Sequence, residues 1–553
     1  MIGVIADSAD FDVVREFFEL FKTPWEFFRA NQQYEVLLCA ADIPFNATAK
    51  VVLVYAGEKV RFDEARYISI SKRVGGLCVL SDKETEIPIY GGAVSLTTST
   101  PPLLTHQKGG ECAAFFERIG DKTYIRIGYD LFAEIRRLLT EGQPPAQAHI
   151  PTLELHIDLL RRWIIGCGIE LDEIPPVPDG YRFVACLTHD VDHPSIRLHK
   201  WDHTMFGFLY RALLGSLLNL IRRRLSFRGL IANWSAACKL PFVHLGWMKD
   251  FWRDFDERYL ELEKDLPSTF YVIPTRQYAG IRSQGANPKF RAAGYGANDI
   301  ADIIRRQVAS GREVGLHGID AWIDSSKGRE ELGEIRRLTN AMEIGVRMHW
   351  LCFDQQSPKR LEMAGFDYDS TSGYNETEGY RSGTGQAFKP LEVVRLLELP
   401  MHVMDSALFY PGRQNLSARQ AIPRVTTLIE NAERYGGCLT LNWHDRSLSP
   451  ERMWDQAYRE VLRELKKRNP WFATAGDAVA WFRKRRSATF VKTRTESGET
   501  LVHCAADVAP DLPGLILRSH KPAAHLSLGS RSVGGHLDLP VREVVAASAL
   551  PAV

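Results

Sequence analysis

The sequence lacks the signatures of several large protein classes. Its nine cysteines include no C-x-x-C pair, which argues against a thiolate zinc site, and their odd number argues against a disulfide framework. No G-x-x-x-x-G-K-[ST] segment is present, and no G-x-S-x-G segment. We therefore expect neither a P-loop nucleotidase nor a hydrolase with a nucleophile-elbow serine.

The sequence also lacks an excess of charge of either sign. Its 69 Lys and Arg residues nearly balance 68 Asp and Glu residues, leaving a net charge of +1, so nothing in the composition indicates nucleic-acid binding. The first residues, MIGVIADSADFDVV, have no basic segment before an apolar run. We expect no secretory signal there, and reduced cysteines in a cytoplasmic protein.

The length of 553 residues predicts about three domains. Strand-like runs alternate with helical spacing in residues 1–170, which predicts an N-terminal α/β accessory domain whose role, recognition or packing, stays open. Proline-rich punctuation at 175–180 marks a stiff connector into a second domain, 171–488. Short alternating segments in 489–553 predict a small C-terminal β module.

The second domain shows strand-like runs separated by helical segments. This alternation predicts an α/β fold with a barrel or a closely related parallel sheet, interrupted by an insertion at about 195–250. The predicted strands are FVACLTH, STFYVI, EVGLH, GVRMHWLC, LLELPMHV and GGCLTLNW, which begin at residues 183, 268, 313, 345, 396 and 436.

The chain is organised around residues 183–193, FVACLTHDVDH, where an apolar run ends in two carboxylates and two histidines. The apolar residues predict a strand buried on both faces. Functional sites of parallel α/β folds lie at the carboxyl ends of the strands, where Asp190 and Asp192 would stand. The alternative is a helix N-cap, which would explain one aspartate and leave the other.

Thr188-His189-Asp190-Val191-Asp192 resembles the first motif, Thr-Phe-Asp-Asp-Gly, of the NodB-homology polysaccharide deacetylases. These are metal-dependent hydrolases that remove acetyl groups from carbohydrates on a distorted (β/α)7 barrel. The resemblance covers roughly residues 183–488 and implies that Asp190 is the catalytic base. The second carboxylate is displaced by one residue, so the metal-binding role falls on Asp192 by inference.

The next two motifs are recognisable but altered. His317 resembles the first histidine of the second motif, His-[Ser/Thr]-x-x-His, but position 321, where the other histidine would fall, is alanine. Arg347 resembles the third-motif arginine that orients the base. His349 alternates with it on a predicted strand and could enter the same cavity as a replacement ligand. Asp320 is the other contender for that role, and a hydrogen-bonded rim histidine is the alternative for His349.

The segment LTLNWHD at 439–445 resembles the fifth motif, which supplies the catalytic acid. This resemblance assigns His444 as the acid, with Asp445 or another carboxylate holding its tautomer. Leu441 and Trp443 would wall the acetyl pocket.

A long polar loop at 366–387 could contact sugar hydroxyls through Tyr374, Tyr380 and Arg381, or be an ordinary solvated loop. Asp369, within this loop, falls near the fourth motif of the family.

The resemblance implies a deacetylase acting on an N- or O-acetylated sugar or glycan precursor, with a divalent metal, Zn²⁺ by expectation. Two alternatives stay open: a metal amidohydrolase acting on a non-sugar linear or cyclic amide, and a pseudo-enzyme that binds glycan or a biosynthetic partner. The oligomeric state stays open as well.

The insertion contains an apolar segment, Met205 to Ile221, with Arg211 in its middle and three arginines after it, 222–224. It is short for a bilayer span. One interpretation is a helix in peripheral contact with the inner membrane through residues 205–224. The other is a lid packed across the barrel mouth.

Overall fold

The computed structural model describes residues 1–42, 49–82, 85–281, 291–492, 501–503, 511–522 and 535–541. The chain forms two compact units. The first comprises residues 1–180, 382–384 and the described part of 480–553, and the second comprises 181–381 and 385–479. The domain boundaries expected from the sequence, after 170 and 488, stay predictions.

The strands are β1 Ile2–Ile5, β2 Trp25–Phe27, β3 Val36–Cys39, β4 Val51–Tyr55, β5 Ser69–Val74, β6 Cys78–Ser81, β7 Glu86–Ile89, β8 Ala93–Thr97, β9 Pro102–His106, β10 Cys112–Ile119, β11 Lys122–Ile127, β12 Leu171–Glu173, β13 Val184–Val191, β14 Thr269–Val272, β15 Glu313–Gly318, β16 Val346–Met348, β17 Tyr368–Asp369, β18 Leu397–Glu398, β19 Val403–Met404, β20 Cys438–Asn442, β21 Trp471–Ala473, β22 Thr489–Lys492, β23 Leu501–His503, β24 Ile516–His520 and β25 His536–Pro540.

The α-helices are α1 Phe11–Phe21, α2 Arg61–Ala65, α3 Leu131–Thr140, α4 Thr152–Gly166, α5 His203–Tyr210, α6 Ser216–Ile221, α7 Phe227–His244, α8 Phe255–Glu263, α9 Ala301–Ala309, α10 Ser325–Thr339, α11 Ser357–Ala364, α12 Asp405–Phe409, α13 Ala418–Tyr435, α14 Asp455–Lys466 and α15 Ala475–Ser487.

The first unit is built on a nine-stranded mixed sheet in the order β2-β1-β3-β4-β11-β10-β9-β6-β7. Its half from β2 to β11 is parallel, and its half from β11 to β7 is antiparallel. A cavity of about 740 Å³ opens where the parallel strands end, lined by Asp42, Arg61 and Asp130 among others. Strands β12, β24 and β25 form a separate antiparallel sheet, while the predicted strand HLSLGS lies outside the described residues.

The second unit contains a parallel sheet in the order β18-β17-β16-β15-β14-β13-β20-β19, with β21 paired to β13. All eight residues of β13 are buried, as expected for a strand between neighbours on both sides. The sheet curls into a half-barrel. Its path ends at β18 and β19, which do not pair with each other in the described part of the chain, so closure into a (β/α)7 barrel is not confirmed.

One predicted strand of this unit is divided in two. The run LLELPMHV, residues 396–403, contains β18 and the first residue of β19, and these two-residue strands lie on either side of Pro400. Proline has no N–H for a strand ladder, and it disfavours regular structure at its position. Conversely, β17 lies at the start of the segment that the sequence presents as a polar loop.

The insertion forms a helical hairpin. Its first arm is one continuous helix, His203–Ile221, in which a π-helical turn joins α5 to α6; its second arm is α7. Asp202 caps the first arm by accepting the Met205 N–H at 2.9 Å. Among the described residues, this first arm is the one helix long and apolar enough to cross a membrane by length and composition.

Candidate metal centre

The residues with chemistry-bearing side chains come from the carboxyl ends of neighbouring strands. Asp190 lies in β13, and Asp192 is the next residue but one. His317 lies in β15, directly opposite Arg347 of β16 in the parallel register. Because these strands are parallel and adjacent in the sheet, their ends meet at one edge.

Three side chains of this edge converge on one point. Asp192 Oδ1 lies 3.4 Å from His317 Nε2 and 3.4 Å from His349 Nδ1. The two imidazole nitrogens are 3.0 Å apart. Ligands bound about 2.1 Å from a single tetrahedral ion are about 3.4 Å from one another, so this triangle has the geometry to hold a metal ion.

The surroundings of the three atoms fit a cation between them. Asp192 Oδ1 is buried and accepts no hydrogen bond from the residues that the structure describes. His317 Nδ1 lies 2.9 Å from the Arg347 carbonyl oxygen, which places the proton on Nδ1 and leaves Nε2 free to ligate. Burial lowers the pKa of His349, which favours the neutral imidazole that metal binding requires.

The position of His349 differs in detail from the sequence-based argument. Strand β16 ends at Met348, and His349 begins a short turn instead of continuing the strand. Trp350 and Leu351, which follow it, have left-handed φ values of 64° and 54°. Such conformations cost about 1 kcal/mol or more for non-glycine residues, and here they accompany the turn that points His349 towards His317.

Asp190 is held beside the triangle by a fully buried arginine. Arg347 Nη1 donates to Asp190 Oδ1 at 3.0 Å and to Thr188 Oγ1 at 2.7 Å. Asn442 Nδ2 donates to the other carboxylate oxygen at 2.6 Å. Burial raises the pKa of Asp190, but His317, Arg347 and His444 outweigh it and the net shift is downward. Asp190 is therefore ionised and oriented, as a proton acceptor must be.

His444 also lies beside the triangle, with Nε2 3.8 Å from Asp192 Oδ2. Its Nδ1 is 2.6 Å from Asp405 Oδ1, and its backbone N–H donates to Asp405 Oδ2 at 2.7 Å. Burial lowers the pKa of His444, but Asp405, Asp192 and Asp190 raise it more, to about 9. The imidazole is therefore a proton donor at neutral pH.

The carboxylate that orients His444 is thus Asp405 and not Asp445. Asp445 accepts the backbone N–H groups of His193 and Arg446 at 2.7 and 2.8 Å. Asp405 follows β19 directly, at the same edge of the sheet. In the sequence, Asp405 could be recognised only by its position directly after a strand. The prediction of one long strand ending at residue 403 concealed that position.

Asp320 is occupied elsewhere. It accepts hydrogen bonds from the Tyr278 hydroxyl at 2.5 Å and the Ile281 N–H at 2.9 Å, and it is absent from the metal-binding geometry found among the described residues. Ala321 is fully buried in the core beside it.

Five residues were predicted to contact substrate: Leu441, Trp443, Tyr374, Tyr380 and Arg381. Leu441 and Trp443 are buried in the core of the second unit. Tyr374 is 3% exposed, and Arg381 packs over its ring at 5.9 Å. None of the five is among the described residues that line the cavity over the triangle, so their contact with substrate stays a prediction.

A cavity of about 300 Å³ opens over the triangle, a volume at the lower end of small-molecule sites. Asp190, Asp192, His317, His349 and His444 all line it. The lining residues that the sequence did not single out are aromatic, basic, polar and apolar: His193, Met348, Trp350, Leu351, Asn375, Met404, Ser406, Tyr410, Arg413 and Arg452.

No family model matches the chain, and no curated protein matches it. Among solved structures, it is similar to a protein from Mycobacterium smegmatis described as a polysaccharide deacetylase, with 19% identity and a TM-score of 0.36 over 56% of this chain and 95% of that one.

It is also similar to PuuE allantoinase, with 15% identity and a TM-score of 0.34 over 55% and 91% of the two chains. The polysaccharide deacetylase Bc1974 from Bacillus cereus has 12% identity and a TM-score of 0.26 over 53% and 91%. Polysaccharide deacetylases are thus among the structures that this chain resembles.

Proposed function

We propose that the protein is a metal-dependent hydrolase that removes an acetyl group from an amide nitrogen of a sugar or glycan precursor. One observation carries the proposal: a three-atom ligand triangle lines the same cavity as an arginine-held carboxylate, Asp190, and a carboxylate-held imidazole, His444. Asp192, His317 and His349 would hold the metal, for which Zn²⁺ suits the one-oxygen, two-nitrogen ligand set.

A bound divalent metal supplies Lewis acidity, which polarises the acyl carbonyl and makes water more acidic. Asp190 accepts the proton of the attacking water, because Arg347 and Asn442 keep its carboxylate ionised and aimed. His444 donates a proton to the departing amine nitrogen, since Asp405 keeps its imidazole charged at neutral pH. Water adds its hydroxyl to the acetyl carbon, and the amine leaves with the proton, so acetate and free amine are the products.

The cavity supports a sugar as the substrate. Trp350 is 38% exposed and lines the cavity with Tyr410 and Asn375. An aromatic face beside amide and hydroxyl groups suits the apolar and polar faces of a pyranose ring.

The proposal is tested first by the metal content of the purified protein. We expect about one equivalent of divalent metal, lost in Asp192→Ala, His317→Ala and His349→Ala. Asp320→Asn is the matched control, because it changes a buried carboxylate next to the site that lies outside the triangle, and it should keep the metal. A metal-free wild-type protein, or loss of metal in the control alone, would contradict the ligand assignment.

The second test is release of acetate from N-acetylglucosamine oligosaccharides. Asp190→Asn should retain the metal and lose activity by about 10² to 10⁴-fold, the usual contribution of a general base. A wild-type protein that holds metal but releases no acetate from acetylated sugars, while hydrolysing a cyclic amide, would instead support the amidohydrolase alternative. Sugar binding without metal or turnover would support a pseudo-enzyme.

A further inference from the structure

The helical hairpin of the insertion exposes an unusual amount of apolar surface. Of the 30 large hydrophobic residues that are exposed in the described part of the chain, 15 lie between residues 201 and 248. Large contiguous apolar patches on a folded protein mark surfaces that contact a partner or a membrane.

The solvent-facing side of the first arm is apolar, whereas this side of a surface helix is usually polar. Its inner face packs Met205, Phe208 and Ala212 into the buried core of the hairpin. Its outer face carries apolar side chains in a stripe of helical spacing, at Phe206, Tyr210, Leu213, Leu214, Leu217 and Ile221. Polar residues would occupy such a face on a helix that meets only water.

The second arm, α7, repeats the pattern. Phe227, Ile231, Trp234 and Phe242 are each 44% exposed or more, at the spacing of one helix face. Trp234 Nε1 donates to the Leu213 carbonyl oxygen at 3.4 Å, so the two arms are packed together. Beyond α7, Trp247 is 74% exposed, and it extends the apolar surface past the end of the second arm.

The charge of the hairpin identifies what covers this surface. Residues 201–248 contain six Lys and Arg residues and a single acidic residue, Asp202, although the whole chain has a net charge of only +1. Basic residues interleaved with exposed tryptophan, phenylalanine and leucine are typical of helices that lie in the headgroup region of an anionic membrane.

The hairpin is not built to span a bilayer. Arg211 interrupts the first arm, and the inner faces of both arms are committed to a core that includes Val243 and Trp252. A spanning helix would have to give up those contacts and bury an arginine in hydrocarbon. Docking flat on the surface buries the outer faces and leaves that core intact.

From these contacts we infer that the hairpin, residues 201–248, docks the protein on the surface of an anionic phospholipid membrane. The hairpin also borders the proposed active site. Tyr410 and Arg452, which line the metal-site cavity, line a second cavity of about 380 Å³ together with Tyr210 and Arg211 of the first arm. Docking therefore brings this side of the catalytic unit to the membrane, and it does not depend on the proposed activity.

The test is sedimentation of the full-length protein with vesicles. We expect binding to vesicles of phosphatidylcholine with phosphatidylglycerol, weaker binding to phosphatidylcholine alone, and weakening by raised salt. Leu214→Glu with Leu217→Glu should reduce the vesicle partition coefficient about ten-fold or more. Met342→Glu with Val394→Glu is the matched control, since both residues are 81% exposed on the same unit but outside the hairpin, and it should bind as the wild type does.

Unchanged circular dichroism and metal content show that each variant is folded. A fluorophore on Cys238, which is exposed on α7, gives a second readout: its emission should shift to the blue with anionic vesicles, and a labelled Cys238→Ser protein should show no such shift. The inference is overturned if wild type and hairpin variant bind vesicles equally. It is overturned also if neither binds and the variant converts a dimer to a monomer, which would make the hairpin an interface between copies.

Discussion

At the scale of single residues, the site depends on side chains whose hydrogen bonds leave them one orientation. Arg347 is the clearest case, because its guanidinium donates to Asp190 and Thr188 through Nη1 and to Ser370 through Nε and Nη2. A lysine would keep the positive charge, but its ammonium group could not reproduce the planar set of hydrogen bonds that the guanidinium donates.

We predict that Arg347→Lys keeps the metal and the fold but lowers kcat by about 10²-fold, because Asp190 loses its fixed position. Inductively coupled plasma mass spectrometry and acetate release measure the two effects. Equal loss of metal and activity would show that Arg347 supports the ligands rather than the base.

Asp405 should affect catalysis through His444, whose Nδ1 lies 2.6 Å from its carboxylate. We predict that Asp405→Asn lowers kcat by about 10²-fold or more, because the amide presents a different hydrogen-bonding partner to Nδ1 and no longer holds the imidazolium. Metal content should not change, since Asp405 lies outside the triangle. Asp445→Asn is the comparison, and its kcat should fall less than that of Asp405→Asn.

Several site residues were predictable because they lie at or just after the carboxyl ends of buried strands: Asp190, Asp192, His317 and His444 stand where an apolar run turns polar. His349 was predicted as a ligand from a strand alternation that the turn after Met348 replaces. Asp405 was not predictable from its own segment, because Pro400 breaks the apparent strand and moves the strand end to Met404.

At the scale of elements, helix α4 carries a titratable side chain, His156, that is shielded from solvent. His156 is fully buried, its Nδ1 lies 3.1 Å from the Tyr129 hydroxyl, and burial lowers its pKa to about 3. In the unfolded chain a histidine titrates near 6.5. Between these values the unfolded state binds a proton that the folded state does not, so stability falls as the pH drops below about 6.5.

The wild-type protein should lose stability between about pH 7.5 and pH 5. We predict that this loss is smaller in His156→Gln by about 2 kcal/mol. The measurement is hydrogen exchange of α4 peptides against urea at both pH values. His149→Gln, at an exposed position before the helix, should retain the acid sensitivity of the wild type. An identical pH dependence in wild type and His156→Gln would refute the assignment.

The insertion was predictable only in part. The apolar run from Met205 predicted one helix, but the second arm, α7, contains Asn233, Lys239 and Pro241 and does not show a clear apolar period in the sequence. The exposed apolar face becomes visible only when both arms pack.

At the scale of the whole molecule, each unit combines distant parts of the chain. Strand β24 pairs with β12, more than 300 residues earlier, and residues 382–384 belong to the first unit. Local patterns predicted individual strands well, but such long-range pairing depends on which edges are free after folding, which no single segment encodes.

Metal binding should affect the two units differently. We predict that added Zn²⁺ slows hydrogen exchange in peptides that contain residues 190–193, 317 and 349, because ligation stabilises only the state that presents the ligands. Exchange in β1, β3 and β4 should not change. Chelation should reverse the effect, and an equal response in both units would contradict a site confined to the second.

The two imidazole nitrogens that face each other at 3.0 Å come from the end of one strand, His317 in β15, and from the residue that follows the neighbouring strand β16. The hydrogen-bonded pairing of β15 with β16 therefore sets the spacing of the two nitrogens. A slip of one residue in that pairing would separate them and turn one imidazole to the opposite face of the sheet.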